Sequence, residues 1–266
     1  MTTDPTAGFA TTGFHRAAVP LSANWLAAVR ESVAAISAQR RPEVVYEEGT
    51  DVVRALHGCH RFDPNLARLV RLPELLGLAT RLVGGEVYVY QFKVNLKRPR
   101  AGQAWPWHQD YAFWHHEDGM RRADAVNLAI FLDDVDDTNG PLTVLSGSHR
   151  LGLLDPGGRA DEPTGHDWRR DVSAKLTYTV PEATVAELSR DHAPVRVTGE
   201  AGTIVAFHPN IVHSSSDNLS ARGRAILLVT YNAVTNPATR PLRPEFLVSR
   251  DAVPLAALTA AERVPL

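Results

Sequence analysis

Trp107-His108-Gln109-Asp110 sets an imidazole and a carboxylate two residues apart. In an extended chain residues i and i+2 point to the same side, so the pair can share a metal ion. On its own a His-x-Asp tripeptide reads more readily as a solvated histidine beside a surface aspartate. A second imidazole is needed, and His213 offers one far along the chain, followed by Ser214, Ser215, Ser216 and then Arg224. Two histidines and one carboxylate that leave coordination positions open are the donor set of non-haem Fe(II) oxygenases. Arg224 opens an apolar run. A guanidinium is costly to bury there without an anion, and its planar fork suits a carboxylate bidentately; the alternative is an arginine at a strand mouth facing water.

Other clusters carry less. His57-Gly58-Cys59-His60 gathers three zinc-type donors, but a closed structural site needs four, and no CxxC or second His/Cys pair is nearby. His115-His116-Glu117-Asp118 reads as a hydrogen-bonded loop anchor and pocket wall. Ser146, Ser148 and His149 lack the Gly-x-Ser-x-Gly elbow of a hydrolase.

The elements that must position these groups follow from periodicity. Residues 1–13 are small, polar and flexible in character, and Leu21 to Arg41 has the spacing of an amphipathic helix with Ser22 as its cap. A second helical stretch starts at Asp63-Pro64, is interrupted at Pro73 and stops at Gly84-Gly85. From Glu86 to Lys97 the period becomes two, with Tyr88, Tyr90, Phe92, Val94 and Leu96 on one face. Val87, Val89, Gln91, Lys93, Asn95 and Lys97 take the other. Further strands are expected at Ala125–Asp133, Leu176–Val180, Val195–Val197, Thr203–His208 and Arg224–Asn232. Many short strands without a βαβ rhythm predict a mainly β fold with flanking helices, a sandwich, jelly roll or barrel. Residues 1–266 are expected to form one domain, with 1–84 mostly helical, 85–240 the β core, and 147–170 a loop or lid.

Composition narrows the partners. At 266 residues, with 44% hydrophobic and 22% charged residues, the chain has the balance of a globular protein that buries a sizeable core. Lys+Arg 28 against Asp+Glu 30 gives a net charge of −2, so no basic field draws nucleic acid or anionic membrane. No apolar run reaches the length of a membrane span, a single Cys59 excludes an internal disulfide, and the N-terminus lacks the order of a secretory signal. A reducing cytoplasm and a small-molecule substrate are expected.

Taken together, His108-x-Asp110, His213, Ser215 and Arg224 resemble the phytanoyl-CoA dioxygenase (PhyH) family of Fe(II)/2-oxoglutarate oxygenases. The resemblance is greatest to its ectoine hydroxylase-like members. HQDYAFWHHEDGM at 108–120, Gln91-Phe92-Lys93-Val94-Asn95, Asn139-Gly140-Pro141-Leu142 and Gly147-Ser148-His149 carry it, over about residues 86–150 and 200–232. The spacing to Arg224 selects His213 over the nearby His208 within that pattern.

The resemblance implies a double-stranded β-helix, a cupin-like jelly roll. It also implies a hydroxylase that couples O2 and 2-oxoglutarate, giving succinate and CO2, to attack on an unactivated C–H bond. It assigns His108, Asp110 and His213 to Fe(II), Arg224 and Ser215 to the distal carboxylate of 2-oxoglutarate, and Asn95 and Trp105 to the same co-substrate. Gln91 and Trp114 match substrate contacts, and Asn127 is a further candidate for one. Related halogenases replace the carboxylate ligand by a small residue, so the presence of Asp110 favours hydroxylation. Arg121 after Met120, where ectoine hydroxylases usually carry proline, and a non-aromatic Leu228 point away from ectoine toward another small, polar, amino-acid-like substrate. The competing readings are a cupin-like metal hydrolase or isomerase, in which Arg224 grips no keto-acid, and a non-catalytic jelly-roll binding module.

Overall fold

The run Arg224–Ala233 forms the strand β11, and every residue of it is buried. An apolar strand achieves that only where both faces of its sheet are covered. In the computed structural model, which describes residues 5–155, 168–172 and 175–266, Leu227, Val229 and Tyr231 face a helical layer, while Ile226 and Leu228 face a second sheet.

Strand β11 pairs with β4 (Val87–Lys97) on one side and β6 (Ala125–Phe131) on the other. The sheet has seven strands in the order β1 (Phe14–Arg16), β9 (Ile204–Phe207), β6, β11, β4, β3 (Val53–His57), β2 (Val44–Tyr46). A second sheet has four, β5 (Trp105–His108), β10 (His213–Ser215), β7 (Leu142–Leu145) and β8 (Pro194–Val197). All pairings named here are antiparallel. This is the mainly β, jelly-roll architecture expected for the chain.

Six helices are present among the described residues: α1 (Pro5–Thr12), α2 (Ala23–Ser37), α3 (Pro64–Leu69), α4 (Pro73–Val83), α5 (Asp110–His116) and α6 (Glu182–Leu188). Ser22 caps α2 by accepting the Trp25 N–H, Asp63 caps α3 with Pro64 in its first turn, and Gly84 at φ 81° ends α4. Trp25, Val29 and Ile36 of α2 and Leu75 and Ala79 of α4 pack in one core with Val94, Leu128 and Leu227 of the larger sheet. Burying each large side chain there contributes roughly 1.5–3 kcal/mol. None of the described helices is long and apolar enough to cross a membrane.

Several expectations are corrected. The N-terminal segment read as flexible holds α1, anchored by the buried Phe9, whose ring lies 6.1 Å from that of His208. Leu176–Val180 is not a strand. It is irregular chain, with Leu176 in the cavity wall and the Val180 N–H donating to the Trp107 carbonyl. The most consequential correction lies in β4, where Thr230 pairs with Gln91 but Tyr231 pairs with Val89, leaving Tyr90 as an extra residue. This bulge reverses the alternation: Val87 and Val89 share the helical-side core with Phe92 and Val94, while Tyr88 and Tyr90 lie in the cluster that contains Trp114. Residues 156–167 of the expected lid at 147–170 lie outside the described residues; near its start, Ser148–Leu151 is a short 3₁₀ turn.

Candidate active site

His108 ends β5 and His213 begins β10, and the two are direct partners across that antiparallel pair, with ring centroids 4.2 Å apart. Strand β5 stops at His108, and Asp110 is the first residue of α5. The spacing that brings histidine and aspartate together is therefore a strand-to-helix corner and not a continuous strand. Gln109, between them, turns the other way: its amide donates to the Gly152 and Asn210 carbonyls and accepts the Leu154 N–H. One donor atom each of His108, Asp110 and His213 lies within 4.8 Å of the other two, and all three residues are buried.

Their electrostatics suit a divalent ion. The Nδ1 of His108 lies 2.6 Å from the Pro106 carbonyl and that of His213 lies 3.0 Å from the Ile211 carbonyl. A carbonyl only accepts, so each Nδ1 carries the proton and each Nε2 lone pair is left toward Asp110, at 3.8 Å and 3.9 Å from its oxygens. Burial pushes His108 down to about 3 and also lowers His213, so both imidazoles are neutral near pH 7. Burial works to raise the Asp110 carboxyl, but Lys93, whose Nζ lies 3.2 Å away, and the two histidines hold it below the usual carboxylate range. Two neutral nitrogen donors and one carboxylate fit Fe(II) and leave positions for further ligands.

A cavity opens beside this triad. One end is lined by Asn95, Trp105, Ser215 and Arg224. Arg224 is 3% exposed and donates to the Gly140 carbonyl, yet its Nε–H has no partner among the described residues. Burial lowers this guanidinium to about 9. An orphaned cationic donor in a cavity wall is what a carboxylate-bearing co-substrate would satisfy, so these residues fit 2-oxoglutarate. Lys97 lies beside it in register, donating to Ser215 Oγ at 2.8 Å and to the Ser216 carbonyl, and burial pushes it down to about 6. Gly140 takes φ 83°, and a Cβ there would come within 2.7 Å of the Ser216 oxygen, which explains glycine in the Asn139-Gly140-Pro141 turn. The Arg54 guanidinium lies 4.0 Å over the Trp105 ring and pairs with the buried Glu47.

The other end is lined by Gln91, Trp114, His57, Asp171, Arg243 and Leu247. The Trp114 indole N–H donates to Gln91 Oε1 at 3.2 Å, so these two expected substrate contacts hold each other. Asn127 does not line the cavity. It is fully buried, and its amide donates to Asp110 Oδ2 at 2.9 Å, because β6 presents it beneath the triad and not at the mouth.

Sequence reasoning did not find Lys93 as the partner of Asp110, nor Arg243, in irregular chain, and Asp171, in the single 3₁₀ turn Arg170–Val172, neither of which belongs to a motif. It read His57 only with Cys59 and His60. Those three do not converge, and the triad is the single such donor cluster among the described residues. The His57 Nε2 instead lies buried in the cavity wall without a protein partner. Its place opposite Lys93 is fixed only when β3 pairs with β4, which no local pattern records. His208 lies with Phe9 and His149, away from the triad, and its Nδ1 accepts the Asn210 N–H.

Comparison with known proteins agrees with this architecture. A family model described as phytanoyl-CoA dioxygenase (PhyH) matches residues 9–226. An L-proline trans-4-hydroxylase of Streptomyces griseoviridis is 58% identical over 232 residues, 87% of each chain. An ectoine dioxygenase of Bordetella bronchiseptica is 35% identical over 84% of this chain and 74% of its own. Among solved structures, EctD of S. alaskensis with 2-oxoglutarate and 5-hydroxyectoine superposes with a TM-score of 0.84 at 29% identity, covering 97% of this chain and 87% of that one.

Proposed function

The chain belongs to the phytanoyl-CoA dioxygenase family, and from that premise we propose that it hydroxylates a free cyclic amino acid, with L-proline the first candidate. It is an Fe(II)- and 2-oxoglutarate-dependent hydroxylase of a small amino-acid-like substrate, with O2 as oxidant. The observation that carries the finer reading is the 58% identity to an L-proline trans-4-hydroxylase over 87% of each chain.

In this reading His108, Asp110 and His213 hold the iron. Bound with 2-oxoglutarate, iron supplies an O2-dependent oxidation that releases succinate and CO2 and delivers one oxygen atom to a C–H bond. The protein groups bind and orient. Arg224 and Ser215 grip the distal carboxylate of 2-oxoglutarate, with Lys97 fixing the Ser215 hydroxyl, and Asn95 and Trp105 flank it. At the far end Gln91 and Trp114, locked to each other, and His57 face the substrate. An amino acid is a zwitterion, and the charges of both signs at Arg243 and Asp171 suit one, while Val172, Leu176 and Leu247 offer apolar surface to its ring carbons. Burial brings His57 down to about 3, so it meets the substrate as a neutral imidazole. We take residues 1–266 as one catalytic domain. The lone Cys59 is buried with its thiol pushed up to about 12, which makes it a packing residue and not a nucleophile, and we take the setting to be cytoplasmic.

The test is to incubate the Fe(II)-loaded protein with 2-oxoglutarate, O2 and a panel of amino acids. The expected result is succinate formed one-for-one with hydroxylated L-proline. Succinate no higher with L-proline than without it, alongside coupled turnover of another amino acid, would move the substrate assignment elsewhere.

A further inference from the structure

Asp110 is the one charged member of the triad, and the torsion that orients its carboxylate is intrinsically broad. Some other group must therefore set the plane of the two oxygens. One oxygen faces Lys93; the other accepts the Asn127 amide N–H at 2.9 Å. The Asn127 torsion is broad for the same reason, and its orientation is set in turn by Thr230, whose hydroxyl donates to Asn127 Oδ1 at 2.6 Å. The amide cannot reverse, because its oxygen would then face a carboxylate. Thr230 and Asn127 are direct cross-strand partners on β11 and β6, and both are fully buried. The relay thus starts from a β-branched side chain, stiff at χ1, in a sheet covered on both sides.

We propose that Thr230 and Asn127 are positioning residues for the metal: the Thr230 hydroxyl fixes the Asn127 amide, and the amide holds the Asp110 carboxylate toward the two Nε2 atoms. This rests on the metal reading above. It also gives a role to a fully buried hydroxyl and carboxamide that are not among the residues lining the cavity. Threonine can be emptied of its donor without change of shape by valine, and serine restores the donor alone.

The experiment titrates Mn(II) into metal-free protein, following free Mn(II) by electron paramagnetic resonance, beside the thermal midpoint of each variant. Thr230→Val is expected to weaken Mn(II) binding by about 10- to 100-fold, and Thr230→Ser to return it to within about threefold of wild type. Thr230→Val that binds Mn(II) like wild type, with only its thermal midpoint lowered, would overturn the proposal. If the valine variant does not fold, Thr230→Ala against Thr230→Ser makes the same comparison, and equal affinities overturn it. Wild-type protein that binds no Mn(II) would instead overturn the metal reading, and this inference with it.

Discussion

The two ends of the cavity are built differently. The end proposed for the co-substrate draws Asn95, Trp105, Ser215 and Arg224 from four regular strands, β4, β5, β10 and β11, with Lys97 and Arg54 close behind. Buried positive charge dominates it. The end proposed for the substrate takes Gln91 and His57 from strands β4 and β3, but Trp114 from a short helix, and Asp171, Arg243 and Leu247 from outside the regular strands and α-helices. Its groups are mostly neutral or of both signs. In the proposed function a constant anion is held wholly by sheet register, which tolerates little change, whereas the substrate also meets segments whose backbone is less constrained.

The sharpest break of that contrast is at Arg224. Arg224→Met should raise KM for 2-oxoglutarate by about 100- to 1000-fold, since a buried charge loses its partner, while KM for the amino acid changes little. Steady-state kinetics with each substrate varied in turn checks this. The mirror experiment is His57→Phe, which fills the same wall without a hydrogen-bonding nitrogen. KM for the amino acid should rise by about 3- to 10-fold with KM for 2-oxoglutarate unmoved, and the reverse pattern would exchange the roles of the two ends.

A smaller effect separates the ends by pH. Lys97, pushed down to about 6, is mostly charged below that pH and mostly neutral by pH 8. A positive charge there favours a dianion, so 2-oxoglutarate binding should weaken by about three- to tenfold from pH 6 to pH 8. His57, at about 3, keeps one charge state throughout and adds no such slope to amino-acid binding. Binding isotherms at three pH values decide it, and Lys97→Met should flatten the first slope. For stability the sign is set by the same protonation difference: the unfolded chain binds more protons than the folded one between about 6 and 10.5 at Lys97, so this residue makes the protein more stable as pH rises through that window.

That His108, Asp110 and His213 converge and that Arg224, Gln91 and Trp114 line the same cavity was legible because each belongs to a short string in which residue type and spacing carry the signal. Asn127 was misplaced because β6 is buried at every position, and a uniformly apolar strand does not announce which face its one amide takes. Strands β5 and β10 are four and three residues long, too short for periodicity, although they carry both histidines. Leu176–Val180 alternates like a strand yet forms no ladder among the described residues, only the Val180 bond to Trp107. Arg243 and Asp171 reach the cavity only through tertiary packing, which no local pattern records.

The extra residue at Tyr90 gives this strand one position to spare. With Tyr90 removed, Val89 and Gln91 become neighbours that already point to opposite sides, so Gln91, Lys93 and Asn95 keep the catalytic chamber while Phe92 and Val94 keep the helical layer. Deleting Val94 instead can keep both ends of the strand in register only by turning Gln91 and Lys93 among the leucines of the helical layer and Phe92 into the chamber. Single-residue deletions scanned along this strand should therefore cost far more activity at Val94 than at Tyr90.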